Sequence, residues 1–168
     1  MIKMPENTKF PQRKNTRLPE YDYSLNGAYF ITVCTHNRRK ILSDVVGEGL
    51  CALPKIRLSG LGQIINNCIE YINTYPFVRV DSYVIMPDHI HLLISINAPE
   101  GHRGPSLQHI MQQFKSYTTH KAKRKFWQRS FYDHIVRNED DLKDINDYIV
   151  ANPIMWLNGN HDDSNYLR

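Results

Sequence analysis

A chain of 168 residues with 41% hydrophobic and 23% charged positions is long enough to bury one core and too apolar to be intrinsically disordered. No apolar run approaches the roughly eighteen residues of a membrane span, and the three cysteines (Cys34, Cys51, Cys68) are odd in number, widely spaced and without a C-x-x-C pair, so neither a disulfide framework nor a thiolate zinc site is indicated. The expectation is a soluble, cytoplasmic protein that makes no membrane contact. It divides into a flexible basic N-terminal arm (1–20), one domain (21–157) and a C-terminal tail (158–168).

The net charge of +4 is unevenly spread. The arm carries Lys3, Lys9, Arg13, Lys14 and Arg17 against Glu6, with Pro5, Pro11 and Pro19 breaking any periodicity. Gly27 to Thr35 is rich in aromatic and β-branched residues and predicts a strand. It runs into three adjacent cations, Arg38, Arg39 and Lys40. Residues 41–58 are irregular, with one short strand expected near 55–58. Ser59 caps a helix whose apolar residues Leu61, Ile64, Ile65, Cys68 and Ile72 recur at three- and four-residue steps. Pro76 limits it.

Two apolar runs then flank the turn-like Met86-Pro87-Asp88, and the second begins His89-Ile90-His91. Strand alternation puts both imidazoles on one face and Ile90 on the other. Such a pair either grips a metal ion or consists of ordinary sheet histidines. Ser106 caps a second helix, expected to reach about Lys123, with Leu107, Ile110, Met111 and Phe114 as its stripe and Tyr117 at the border. From Lys115 to Arg129 there are six cations (Lys115, Lys121, Lys123, Arg124, Lys125, Arg129), no acid, and interleaved aromatics. That composition suits a phosphate backbone and unstacked bases, or a solvated helix face. Phe131 to Val136 alternates like an edge strand. Asn138 caps a third helix with Glu139, Asp140 and Asp141 at its positive end, which Asn152-Pro153 is expected to stop.

These elements predict an α+β fold: a ferredoxin-like antiparallel sheet with helices packed on one face. Met86-Pro87-Asp88-His89-Ile90-His91-Leu92-Leu93, Phe114-Lys115-Ser116-Tyr117-Thr118, Trp127-Gln128-Arg129, Phe131 to Glu139 and Tyr148-Ile149-Val150-Ala151-Asn152-Pro153, in that order, resemble one family over roughly residues 20–157. The chain is similar to the single-tyrosine HUH transposases of the insertion-sequence type, and among them to the REP-associated tyrosine transposases.

The resemblance implies a metal-dependent enzyme that nicks and rejoins single-stranded DNA at hairpins through a 5′-phosphotyrosine intermediate. His89 and His91 would hold Mg2+ or Mn2+, Tyr117 would be the nucleophile, and a polar side chain one helical turn later would add a ligand. His120 fills that place, whereas Lys121 could only touch phosphate. Arg38, Arg39, Lys40, Lys115, Lys121, Lys123, Arg124, Lys125 and Arg129 are the expected DNA contacts. Relatives leave both a homodimer and a monomer open. Two rival readings are a catalytically inactive nucleic-acid-binding module on the same fold and a metal-dependent phosphohydrolase. A covalent adduct distinguishes the first reading from both.

Overall fold

The computed structural model describes residues 22–47, 54–102 and 104–159. The expected arm, Cys51 and the tail beyond 159 lie outside the described residues. Element order is β1 (Gly27–Cys34), β2 (Ser43–Val46), β3 (Lys55–Leu58), α1 (Gly60–Ile72), β4 (Val78–Ile85), β5 (His89–Ile96), α2 (Leu107–Lys121), β6 (Tyr132–Ile135) and α3 (Glu139–Leu157). The main sheet runs β4-β5-β1-β6 with every pairing antiparallel. With the small β2–β3 hairpin set aside, this is the ferredoxin-like order. The short strand expected at 55–58 is β3. Its partner β2, also four residues long, falls in the stretch that reads as irregular in the sequence.

Strand alternation divides the core in two. Tyr29, Ile31 and Val33 of β1 and Ile90, Leu92 and Ile94 of β5 join the stripes of α1 and α2 in the larger cluster. Phe30 and Leu93 point the other way and pack with Ile145 and Ile149 of α3. The fold class is as expected, but the helices lie on both faces: α1 and α2 on one, α3 on the other. α3 carries its own apolar residues, and the odd-numbered face of β5 needs a cover.

All three caps form as the sequence predicts. The Ser59 hydroxyl accepts from Gly62 N, the Ser106 hydroxyl from His109 N and the Asn138 side chain from Asp141 N. α2 stops at Lys121, two residues short of expectation. α3 does not stop at Asn152-Pro153 but continues to Leu157 with Pro153 inside it. A proline removes one helical N–H, and here Trp156, one turn beyond, still packs on the smaller cluster and holds the last turn in register. Among the described residues no helix is long and apolar enough to cross a membrane.

Candidate metal and nucleophile site

The turn before β5 is fixed from several sides. Thr35 N and Thr35 Oγ1 donate to the Asp88 carbonyl at 2.9 and 3.0 Å, and Ile41 N and Leu42 N donate to the Pro87 carbonyl at 2.8 and 2.9 Å. β5 therefore starts from a rigid anchor. His89 and His91 follow on the α3 face, both buried, with ring centres 4.6 Å apart.

Each imidazole has a dedicated partner on Nδ1. Thr32, directly across from His91 on β1, places Oγ1 at 2.9 Å from His91 Nδ1. Asp88 Oδ1 lies 2.6 Å from His89 Nδ1, and its other oxygen pairs with Arg38 Nε at 3.2 Å. Nδ1 being committed on both rings, Nε2 is the nitrogen each ring offers to a ligand. His89 Nε2 is buried and makes no hydrogen bond. Burial, first of all, and then His89 and Arg38 push His91 well below the ordinary imidazole range. It is neutral at pH 7, the form that ligates a metal.

Arg38 is held in the left-handed region (φ 51°), as is Asn37 before it (φ 56°). Asparagine tolerates that conformation better than arginine, for which it costs on the order of 1 kcal/mol. The Arg38 side chain spans from Asp88 to the Cys34 sulfur, to which Nη1 donates at 2.8 Å. The strained turn thus sets a guanidinium beside the histidine pair.

α3 roofs the pair with one stripe of side chains. The half-buried Tyr148 ring lies 5.2 Å from the His91 ring, and the Trp156 ring lies 6.1 Å from the His89 ring. Asn152 falls between them, one turn from each. Its side chain is buried and Oδ1 has no hydrogen-bond partner.

The structure does not bring Tyr117 or His120 to the pair. Both stand exposed on α2, across the sheet from the histidine face. Tyr117 lies against Tyr71 of α1, ring centres 6.5 Å apart. The physical reason is parity: α2 packs on the face of Ile90 and Leu92, and His89 and His91 point the other way. Tyr148 was legible as part of the quoted Tyr-Ile-Val-Ala-Asn-Pro run, and its spacing to Asn152 is the tyrosine-plus-one-turn pattern that His120 was expected to supply. Tyr132 is half-buried on β6 opposite Thr32, and burial and Asp133 raise its phenol above the usual range.

The expected DNA contacts separate as well. Lys40 stands 5.1 Å from the Trp156 ring, next to the pair. The segment after α2 is tied to the same end of the sheet, because Gln128 N donates to the Cys34 carbonyl (2.9 Å) and His36 N to the Phe126 carbonyl (2.7 Å). The exposed Lys123, Arg124, Lys125 and Arg129 flank it. Arg39 is likewise at the β1 exit. Lys121 stands over the Tyr117 ring on the far face. Lys115 is different: its ammonium donates to the carbonyls of Gln128, Arg129 and Ser130, and burial lowers its affinity for the proton. It holds the loop instead of presenting a free cation.

Among the described residues no cluster of three His, Cys, Asp or Glu side chains is arranged to hold a metal ion. A donor set here therefore consists of two imidazoles supplemented by neutral oxygen. Imidazole with hard oxygen accommodates Mg2+ and Mn2+ as well as softer ions, so the residues present fit such an ion.

Residues 24–152 match the model of the family described as "Transposase IS200 like". An uncharacterized protein of Haemophilus influenzae is 30% identical over 89% of this chain and 93% of its own. The REP-associated tyrosine transposase of Escherichia coli is 27% identical over 79% of this chain and 69% of its own. Among solved structures, a REP-associated tyrosine transposase bound to a REP hairpin superposes with a TM-score of 0.61 at 26% identity, over 83% of this chain and 74% of that one.

Proposed function

Because the chain belongs to the IS200-like transposase family, we propose that it nicks and rejoins single-stranded DNA at hairpins, with Tyr148 and not Tyr117 as its nucleophile. The carrying observation is the Tyr148 ring 5.2 Å from His91, on the same side of the sheet as both imidazoles. The hairpin carried by the solved relative supports the choice of substrate. His89 and His91 through Nε2, and Asn152 through Oδ1, would hold a divalent ion, Mg2+ or Mn2+. When bound, that ion supplies Lewis acidity toward a phosphoryl oxygen.

The residues of the chain do the rest. A solvent-exposed phenol loses its proton only near pH 10 and is a weak nucleophile at neutral pH, so its effectiveness depends on being held in line with the phosphorus. The seat of Tyr148 on α3, its ring 5.2 Å from that of His91, supports that role. Tyr148 Oη bonds to phosphorus as its proton leaves, the bond from phosphorus to the 3′ oxygen breaks, and that oxygen takes up a proton. The product is a 5′-phosphotyrosine with a free 3′-hydroxyl, which keeps the phosphodiester energy for rejoining. Arg38 and Lys40 answer the phosphate charge, and Asp88 and Thr32 keep the imidazoles in one orientation. Since the pair and Tyr148 come from one chain, one copy is enough to build the site.

The test incubates end-labelled single-stranded hairpin DNA with protein and Mn2+ or Mg2+, and isolates a denaturant-resistant adduct for peptide mapping. The expected result is nucleotide on Tyr148, lost in Tyr148→Phe, in His89→Ala and in EDTA. An adduct that survives Tyr148→Phe or maps to Tyr117 refutes the assignment. Salt-sensitive binding with no adduct under any metal identifies an inactive binding module.

A further inference from the structure

On the face of the sheet away from the histidine pair, two tyrosines from different helices stand together in solvent. Tyr71 of α1 is 55% exposed and Tyr117 of α2 is 42% exposed. Their rings are 17° from parallel with centres 6.5 Å apart. Tyr75 props Tyr71 edge-on at 5.4 Å, and Lys121 Nζ stands 5.5 Å from the centre of the Tyr117 ring. Burial of apolar ring surface is favourable, yet here two aromatic rings remain about half exposed side by side, each with a neighbouring side chain against it.

We propose that Tyr71 and Tyr117 form a stacking platform for unpaired bases of single-stranded DNA, with Lys121 answering the phosphate beside them. The reading extends the proposed DNA substrate to a second contact site. Stacking needs a π face, a fixed ring and a nearby cation, and it tolerates any base. All three are present. Charge complementarity selects a polyanion over a second protein surface: Lys121 stands over the Tyr117 ring, and α2, which carries both, holds no acidic residue from Leu107 to Lys121. The neighbouring carboxylate, Glu70, accepts a hydrogen bond from the Tyr83 hydroxyl. Because the sheet separates this platform from His89 and His91, the bases it holds are not those at the scissile phosphate. They belong to the unpaired flank or loop.

The experiment measures binding by fluorescence anisotropy in EDTA, so that cleavage plays no part, using a hairpin with an oligothymidine tail and the same hairpin with blunt ends. Tyr71→Ala and Tyr117→Ala are expected to weaken the tailed hairpin roughly 5- to 100-fold, the range for losing one stacked base, and to leave the blunt hairpin unchanged. Tyr117→Phe keeps the ring and is expected to stay within about twofold of wild type. Lys121→Gln is expected to lower the salt slope by about one. A bromouracil-substituted tail is expected to photocrosslink to Tyr71 or Tyr117.

Equal affinity of wild type and the double alanine variant for the tailed hairpin overturns the proposal. So does a wild-type dimer that the double variant dissociates without losing DNA affinity, which would assign the face to a second copy. A protein that shows this tyrosine dependence yet forms no adduct with any metal refutes the proposed chemistry and leaves the platform standing.

Discussion

Replacing Thr32 by valine isolates the contribution of one atom to the histidine pair. Thr32 is buried, β-branched and directly opposite His91, and its hydroxyl lies 2.9 Å from His91 Nδ1. Valine keeps the branched shape and deletes the hydrogen bond. Losing a buried hydrogen bond costs about 1–3 kcal/mol when the partner has no substitute. The added methyl group returns something on the order of 0.8 kcal/mol of apolar burial. The net loss is therefore on the order of 0.2–2 kcal/mol, or a Tm lowered by up to roughly 8 °C in a domain of this size. The functional effect is larger than the thermal one. A ligand imidazole released from its orienting partner loses about 10- to 100-fold in metal affinity. Urea unfolding gives the first number, and Mn2+ titration by calorimetry or electron paramagnetic resonance gives the second. Stability that falls as predicted with Mn2+ affinity unchanged would refute the reasoning, since Thr32 would then only fill space and Nε2 would not be the ligating atom it orients.

Two further outcomes follow from the electrostatics. His91 is held below its unfolded pKa by burial first, then by His89 and Arg38, so the folded state resists protonation. Its contribution is complete above about pH 6.5 and is lost as pH falls below that value. Unfolding free energies from urea titration are expected to decline by up to about 1.4 kcal/mol per pH unit below that value, whereas Mn2+ binding to the folded protein, whose His91 stays neutral there, is expected to weaken through His91 only at the lower pH where the folded imidazole itself takes up a proton. A flat profile from neutral to mildly acid pH contradicts a neutral buried imidazole. The two kinds of cation are expected to behave differently: Lys115→Met lowers thermal stability by freeing the 128–130 loop, whereas Arg124→Ala leaves stability alone and reduces the salt slope of DNA binding by about one. Equal effects of the two on the salt slope would mean that Lys115 reaches DNA after all.

Much of this architecture can be derived from local chemistry. Ser59, Ser106 and Asn138 cap the helices the sequence predicts because capping is settled within four residues. His89 and His91 share a face because a strand alternates. The face each helix covers was not legible, since it depends on which strand face is left open after α1 and α2 have packed. Leu142, Ile145, Tyr148 and Ile149 form one apolar side in the sequence, and only the sheet beneath them divides that side into buried core (Ile145, Ile149) and a half-buried ring beside His91 (Tyr148). Tyr117 misleads for the same reason. A border aromatic in a motif-like run is equally consistent with a nucleophile and a surface ring, and the sheet that sets Tyr117 on the face away from His89 and His91 is not encoded in the spacing. Lys115 belongs to a basic run by composition and to a loop anchor by contact, a distinction that needs Gln128 to be brought back beside it.

α3 carries its polar weaknesses at the point where it crosses the histidine pair. Pro153 removes the N–H that would ordinarily reach the Ile149 carbonyl. One residue before it, Asn152 buries an amide whose Oδ1 has no partner. A helix selected for stability alone would place alanine or leucine at both positions, gaining about 3 kcal/mol at the proline and avoiding about 1–3 kcal/mol of unsatisfied amide. Ile145 and Ile149 keep the helix on the sheet in spite of these losses. Tyr148 and Trp156 bracket the weak turn and cover His91 and His89 respectively. Local rules are thus broken together on the stretch of α3 between the two residues that cover the imidazoles, a pattern in keeping with the proposed site. Under the proposed chemistry, Asn152 Oδ1, which has no hydrogen-bond partner within the protein, would find one in the divalent ion.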